Sequence, residues 1–318
     1  MGERQIGEAG FAEVFLAPGM GTNKRLERIA DLFDWARLEQ VLRPLRSSLG
    51  RKGYPALAMF KALLLQQWYG LSDPELEDAL GDRLSFRHLC GFALSDPTPD
   101  ETTFVRFRAA LCDHGLSDKL FAEINGQLKR QGLMLKTGTL IDASLVEAAV
   151  ARPPLATGPV SDRDPAAGFT QRGRRSFFGY KAHLAVDEGS DLIRAAVLTG
   201  AGIAESLVAD ALIQGDERAV YADKGYENKH RRRRLKALGI KDRIMHRSHK
   251  HQAALPHWQQ MRNRLIAPIR ANVERLFGLM KRSYGYRRVR YRGLERNQSH
   301  LYLLCIAINL RRAETLTA

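Results

Sequence analysis

The chain has 318 residues and a formal net charge of +15, with 50 lysines and arginines against 35 aspartates and glutamates. That length holds one large domain or two ordinary ones, and the charge favours a polyanion: nucleic acid first, an anionic membrane surface second. No apolar run is long enough to span a bilayer, the opening MGERQIGEAG lacks signal-peptide form, and GxSxG, P-loop and dinucleotide fingerprints are missing, which removes the usual hydrolase, ATPase and dehydrogenase readings.

Residues 1–23 show no period and are expected to be loose. From Lys24 the pattern is helical, and residues 24–135 form an expected α-helical, DNA-binding domain. Ser72-Asp-Pro-Glu75 and Thr98-Pro-Asp-Glu101 both match the capping box, with proline in the first turn. Gly115 and Gly132 stand where helices should stop. Short helices between Ser72 and Leu111 carry Arg83, Arg87, His88, Arg106 and Arg108, which suits a helix-turn-helix or the basic face of an ordinary bundle. The cysteines, Cys90, Cys112 and Cys305, are far apart and read as small core residues in a reducing cytosol.

The pattern changes at Lys136, and residues 136–318 read as a second, α/β domain. Gly138–Leu145 is a strand carrying Asp142. Residues 149–178, rich in Pro, Gly, Ser, Asp and Arg, read as a long exposed basic loop. Tyr180–Asp187 and Leu192–Thr199 form a hairpin through Glu-Gly-Ser. A helix over Glu205–Gln214, a strand ending on Asp223, a basic helix over Asn228–Leu238 and a short strand over Asp242–His246 follow. Leu265–Lys281 reads as one amphipathic helix, and Leu294–Arg312 as another. This order implies a mixed sheet with flanking helices.

Asp142 lies among Leu140, Ile141, Leu145 and Val146, where a carboxylate is costly to ionise unless an arginine or a metal offsets it. Asp223 ends a strand, where open α/β sheets place their sites, although a turn-forming aspartate before Lys224-Gly225 reads the same way. Glu274 is four residues past Arg270, the spacing of a helical ion pair. Together the three carboxylates can converge, and hard oxygens suit magnesium or manganese, two of which can clamp a phosphodiester. Arg270 and Lys281, on the helical line of Glu274, would then hold phosphates. Arg231–Arg234 is a wet helix face or a phosphate track. His183 is a core histidine or one that approaches the site from a neighbouring strand. His246, His249 and His251 fit no zinc pattern and read as a solvated basic loop.

These stretches resemble the DDE transposases of bacterial insertion sequences, and within the insertion-sequence-four-like group the insertion-sequence-five family. Tyr54–Phe92 is similar to that family's N-terminal helical domain. GTLIDASLVEA, GYKAH, ADKGY and RANVERLFGLMKR resemble its catalytic core in order and spacing. The resemblance implies an RNase H-like fold with Asp142, Asp223 and Glu274 as catalytic triad, binding two Mg2+ or Mn2+ ions. Arg270, Lys281, Lys181, His183, Arg231 and Arg232 are the expected DNA contacts. The wider group has a tyrosine three residues before the arginine, where this chain has Ala267. A transposase of this kind would bind terminal inverted repeats, cleave the ends and join them to target DNA, as a homo-oligomer in the bacterial cytoplasm and at no membrane. Two rivals remain open at this point: an RNase H-like nuclease or resolvase without strand transfer, and a DNA-binding regulator without catalysis.

Overall fold

Short polar side chains start four helices of the N-terminal half, each by accepting an N–H that the first turn leaves unpaired. The computed structural model describes residues 3–8, 10–17, 19–46, 53–153, 163–172, 175–248 and 254–318. It divides into two compact units, Met1–Arg130 with Tyr302–Ala318, and Gln131–Leu301.

In the first unit, Asn23 caps α1 (Lys24–Leu32) and Asp34 caps α2 (Trp35–Leu42). Helix α3 (Ala56–Tyr69) is buried nearly all round, with Phe60, Leu63 and Leu64 fully enclosed. The capping box of Ser72 and Glu75 opens α4 (Asp73–Asp82), and Arg83 alone separates it from α5 (Leu84–Cys90). The second expected box forms differently. Helix α6 (Glu101–Asp113) is capped by Asp100, which accepts the Thr103 N–H at 2.7 Å, while the Thr98 carbonyl accepts the Tyr54 hydroxyl. Helix α7 runs over Leu116–Arg130. Two of the candidate basic residues are structural here. Arg87 is buried, donating to the carbonyls of Leu80, Ala93, Leu94 and Asp96, and Arg108 makes a forked pair with Asp73. The N-terminal stretch is not wholly loose: Phe11–Phe15 forms a 3-10 turn, and Glu13 accepts the N–H groups of Gly10 and Leu94.

The chain's last residues, expected with the second domain, cluster with the first unit. The Trp68 indole donates to the Ala307 carbonyl at 2.8 Å, Asn309 donates to Asn125, and Arg25 and Arg28 both pair with the buried Glu314. The apolar face of that terminal segment, with Leu303, Leu304, Ile306 and Leu310, is fully enclosed, which explains the assignment.

The second unit is built on strands β1 (Thr139–Glu147), β2 (Gly168–Arg172), β3 (Arg175–Asp187) and β4 (Ile193–Gly200). Helix α8 (Glu205–Leu212), strand β5 (Ala219–Ala222), helix α9 (Lys229–Ala237) and strand β6 (Lys241–Ile244) follow. Among the described residues the six strands make one mixed sheet in the order β2-β3-β1-β5-β6, with β4 also paired to β3. β1, β3 and β4 are antiparallel neighbours, and β5 and β6 continue from β1 in parallel. That is the mixed sheet, with flanking helices, of the expected RNase H-like class. The loop expected over 149–178 is partly sheet. β2 pairs with the start of β3, Ala167 and Phe178 are buried, and residues 154–162 lie outside the described set. Two aromatic rings explain the pairing, since Phe169 and Phe178 stack across it at 4.8 Å.

Alternation of side chains along β1 divides the core. Ile141 faces Ala185, Ala209, Leu212, Tyr226 and Leu235, a cluster that includes residues of α8 and α9. Leu140 and Asp142 face the other way, toward α10 (His257–Arg270) and α11 (Asn272–Ser283). Those two helices replace the single helix expected over Leu265–Lys281. Pro268 offers no N–H to the preceding turn, and the helix is interrupted at Ala271 before α11 restarts with Glu274 in its first turn. Helix α12 (Leu294–Thr317) ends the chain, its first residues in the second unit. Among the described residues no helix is long and apolar enough to cross a membrane.

Candidate active site

The parallel register between β1 and β5 brings two of the acids together. Thr139 lies opposite Val220, Leu140 opposite Tyr221 and Ile141 opposite Ala222. One step further along each strand stand Asp142 and Asp223, where β5 has ended and the turn Lys224–Tyr226 begins. Pairing of the apolar residues below therefore fixes the two carboxylates at one level.

Glu274 reaches the pair through Arg270. One guanidinium nitrogen of Arg270 donates to Asp142 Oδ2 at 3.1 Å and another to Glu274 Oε1 at 2.6 Å. The alternatives for Asp142 are thus not exclusive: it has an arginine partner, and that arginine also holds the third acid. The Arg270–Glu274 contact survives the interruption at Ala271 because two short helical segments still leave the residues one turn apart. Asp142 and Arg270 are largely buried, whereas the Glu274 side chain is 58% exposed.

The electrostatics suit a cation. Burial pushes the Asp142 carboxyl up to about 6, the carboxylates of Glu205 and Asp223 push the same way, and the Ala143 N–H and Arg270 offset only part of this. A set of hard carboxylate oxygens with negative charge in excess of its one arginine fits a divalent ion. Among the described residues, however, no three acids, histidines or cysteines are already gathered as a metal cluster. Arg270 lies on one oxygen of Asp142 and one of Glu274.

The other expected DNA contacts separate. Lys281 is on α11, part-exposed, two turns beyond Glu274. Lys181 is mostly buried, donating to the Ile203 carbonyl at 3.0 Å and lying 3.4 Å from Glu205. His183 is fully buried, which corrects its reading as a DNA contact. It pairs in register with Ala143, so it points to the opposite sheet face from Asp142, and it meets Thr199 Oγ1 at 2.9 Å. Burial lowers it to about 4, so the ring is neutral. Arg231 is also corrected. It is 1% exposed, and its guanidinium is taken up by Asp210 and by the carbonyls of Tyr226 and Ser206. Arg232 is half-buried between Asp242 and Glu227. In the run 231–234, Arg233 is exposed and Arg234 exposed beside Asp210. His246 is not in a solvated loop. It is packed between Arg232 and Arg262 with its ring edge-to-face on Trp258, while His249 and His251 lie outside the described residues.

Two neighbours of the acids escaped notice in the sequence. Glu205 opens α8 and reads there as an ordinary acid in a helix's first turn. Tyr226 stands in ADKGY, three residues past Asp223, and its ring is enclosed in the core cluster. Its proximity to Asp223 was the available signal.

Two family matches account for most of the chain. Residues 19–110 match a transposase domain (DUF772), and residues 134–310, more than half of the chain, match the transposase DDE domain. The chain belongs to the DDE transposases of insertion sequences. It is accordingly a DNA transposase, and dependence on a divalent metal goes with that domain. Two solved structures are similar at low identity. One is the piggyBac transposase synaptic complex with hairpin DNA, by cryo-EM, at 11% identity over 93% of this chain and 73% of that one, with a TM-score of 0.46. The other is the crystal structure of the Mos1 strand transfer complex, at 14% identity over 83% and 81%, with a TM-score of 0.19. The assignment rests on the two domain matches.

Proposed function

We propose that Asp142, Asp223 and Glu274 are the catalytic acids of this transposase, and that it belongs to the insertion-sequence-five family. It binds the terminal inverted repeats of its element as a homo-oligomer, cleaves at the ends and joins the freed 3′-hydroxyls to target DNA. The observation that carries this reading is the placement of Asp142 and Asp223 at one level on parallel strands, with Glu274 tied to Asp142 through Arg270. Two Mg2+ or Mn2+ ions held by these acids would activate the attacking oxygen and stabilise the leaving one.

The chain's own groups supply position and charge. Asp142 is set rigidly by the sheet, and Asp223 by the turn that starts at its own carbonyl, which accepts the Tyr226 N–H. Glu274 is exposed and can swing. Arg270, once released from the acids, presents a planar fork suited to a phosphate, and Lys281 adds a point charge further along α11. The first unit and the exposed arginines of α9 supply the general attraction to DNA.

The test uses full-length protein and duplexes ending in the element's repeats. Asp142→Asn, Asp223→Asn and Glu274→Gln are each expected to lower cleavage at least a thousandfold while leaving DNA affinity within a few-fold, because members of one catalytic unit fail together. Near-normal cleavage by any one variant removes that residue. Cleavage with no joined product favours a nuclease without strand transfer, and tight binding with no metal-dependent cleavage favours a regulator.

A further inference from the structure

The Tyr226 hydroxyl is fully buried and, among the described residues, has no hydrogen-bond partner. A buried donor left unpaired is unfavourable, so such a group calls for an acceptor that another state of the site supplies. The tyrosine ring is held by apolar neighbours Ala209, Leu212 and Leu235 of α8 and α9, which leaves it little freedom to move. Burial is the largest influence on the hydroxyl; the charges of Glu205, Asp142 and Asp223 act on it next, with Arg270 opposing them.

Glu205 is placed to answer. Its carboxylate sits over the turn after Asp223, 3.7 Å from where a side chain on Gly225 would begin. An alanine Cβ at 225 would be in ordinary van der Waals contact with it. On its other side Lys181 approaches to 3.4 Å, and Lys181 is itself anchored on the Ile203 carbonyl. The side chain is one-third exposed, so it is neither a core group nor a free surface acid.

Resting on the reading of Asp142, Asp223 and Glu274 as the catalytic acids, we propose that Glu205 is a fourth carboxylate of the metal site, held by Lys181 and, once the ion is bound, accepting a hydrogen bond from the Tyr226 hydroxyl that is unpaired without it. Glu205 adds negative charge beside Asp142 and Asp223 from the opposite sheet face. It acts on the ion through charge and orientation, and Tyr226 is its positioning residue. A tyrosine with no such role would be better replaced by phenylalanine, which fills the same space without the orphan hydroxyl.

The test is direct binding of Mn2+ to the full-length protein without DNA, followed by the free-ion signal in electron paramagnetic resonance. Glu205→Gln is expected to raise the Mn2+ Kd at least fivefold, and Tyr226→Phe at least threefold. The double variant should bind no more weakly than Glu205→Gln alone, since both act through one carboxylate. Unchanged affinity in Glu205→Gln overturns the proposal. Unchanged affinity in Tyr226→Phe together with a raised melting temperature overturns the hydrogen bond. Asp142→Asn and Asp223→Asn, measured alongside, separate the two readings. If they bind Mn2+ like wild type, the assignment of the catalytic acids has failed, and Glu205 falls with it. If they lose binding while Glu205→Gln keeps it, only the fourth carboxylate is wrong.

Discussion

Arg270 Nη1 stands 3.1 Å from Asp142 Oδ2, joining residues 128 positions apart in the chain, and the same guanidinium holds Glu274. In the metal-free protein this one cation offsets part of what burial and the neighbouring acids impose on Asp142. Arg270→Ala is therefore expected to destabilise the metal-free protein by about 1–3 kcal/mol at neutral pH, because it strands a partly buried charge. Saturating Mn2+ should recover much of that loss. Denaturant unfolding in chelator and in Mn2+ measures both, and an equal loss in the two conditions would tell against the shared role of arginine and ion.

Proton competition gives a second expectation. Asp142, proposed above as a metal ligand, is held at about 6, and a carboxylate must be deprotonated to bind an ion. Mn2+ affinity should be nearly flat above pH 7 and fall by up to about tenfold per unit below 6. The sign for stability is opposite to that of a salt-bridged acid. A carboxyl raised on folding costs nothing below its unfolded value, and its penalty is complete once pH exceeds the folded value. Asp142→Asn should thus stabilise the metal-free protein at pH 7.5 by about 1–3 kcal/mol and leave it unchanged near pH 3.5. Thermal melts at the two pH values decide.

Neighbouring arginines on α9 should behave unlike one another. Arg231 is enclosed by Asp210 and two carbonyls, and Arg231→Ala is expected to cost about 1–3 kcal/mol of stability by leaving the Tyr226 and Ser206 carbonyls without their donor. Arg233 is exposed, and Arg233→Ala should leave stability within about 0.5 kcal/mol. If Arg233 meets phosphate, the salt dependence of DNA binding falls by about one counterion in that variant. Equal losses of stability in both would contradict the burial difference.

Glu314 ties the chain's end to α1. Burial opposes its charge, but the hydrogen bonds of Arg28 and Arg25 prevail and keep its carboxyl below the ordinary range. That contribution is present above the unfolded value and lost as pH falls through the folded one. Glu314→Gln should cost about 1–2 kcal/mol at pH 7, kept small by the half-exposed arginines, and less at pH 3. A melt series against pH that ran parallel to wild type would reject the ion pairs as a source of stability.

Much of the core was readable because it follows from period and composition. The strand at 139–147, the hairpin at Glu188-Gly189-Ser190 and the Ser72 capping box need only local chemistry. What was hidden depends on register and distance. Whether His183 faces the acids turns on its pairing with Ala143 rather than Asp142, a one-residue matter that no local pattern decides. Arg231 looks solvated beside three other arginines until Asp210, on another helix, is placed against it. The interruption at Ala271 hides behind an unbroken apolar stripe, with Pro268 its only local sign. Glu205 carries no motif, and only the turn after Asp223 gives it meaning.

The assignment of Tyr302–Ala318 to the helical unit has a consequence for the order in which the protein can form. A ribosome makes residues 131–301 before it makes the segment that supplies the Ala307 carbonyl to Trp68 and Glu314 to Arg25 and Arg28. The first unit to be synthesised is therefore the last that can be completed, and until then its apolar surface around α3 lacks the segment that covers it. A nascent chain cannot own a finished helical unit before the sequence of its catalytic sheet has been translated in full.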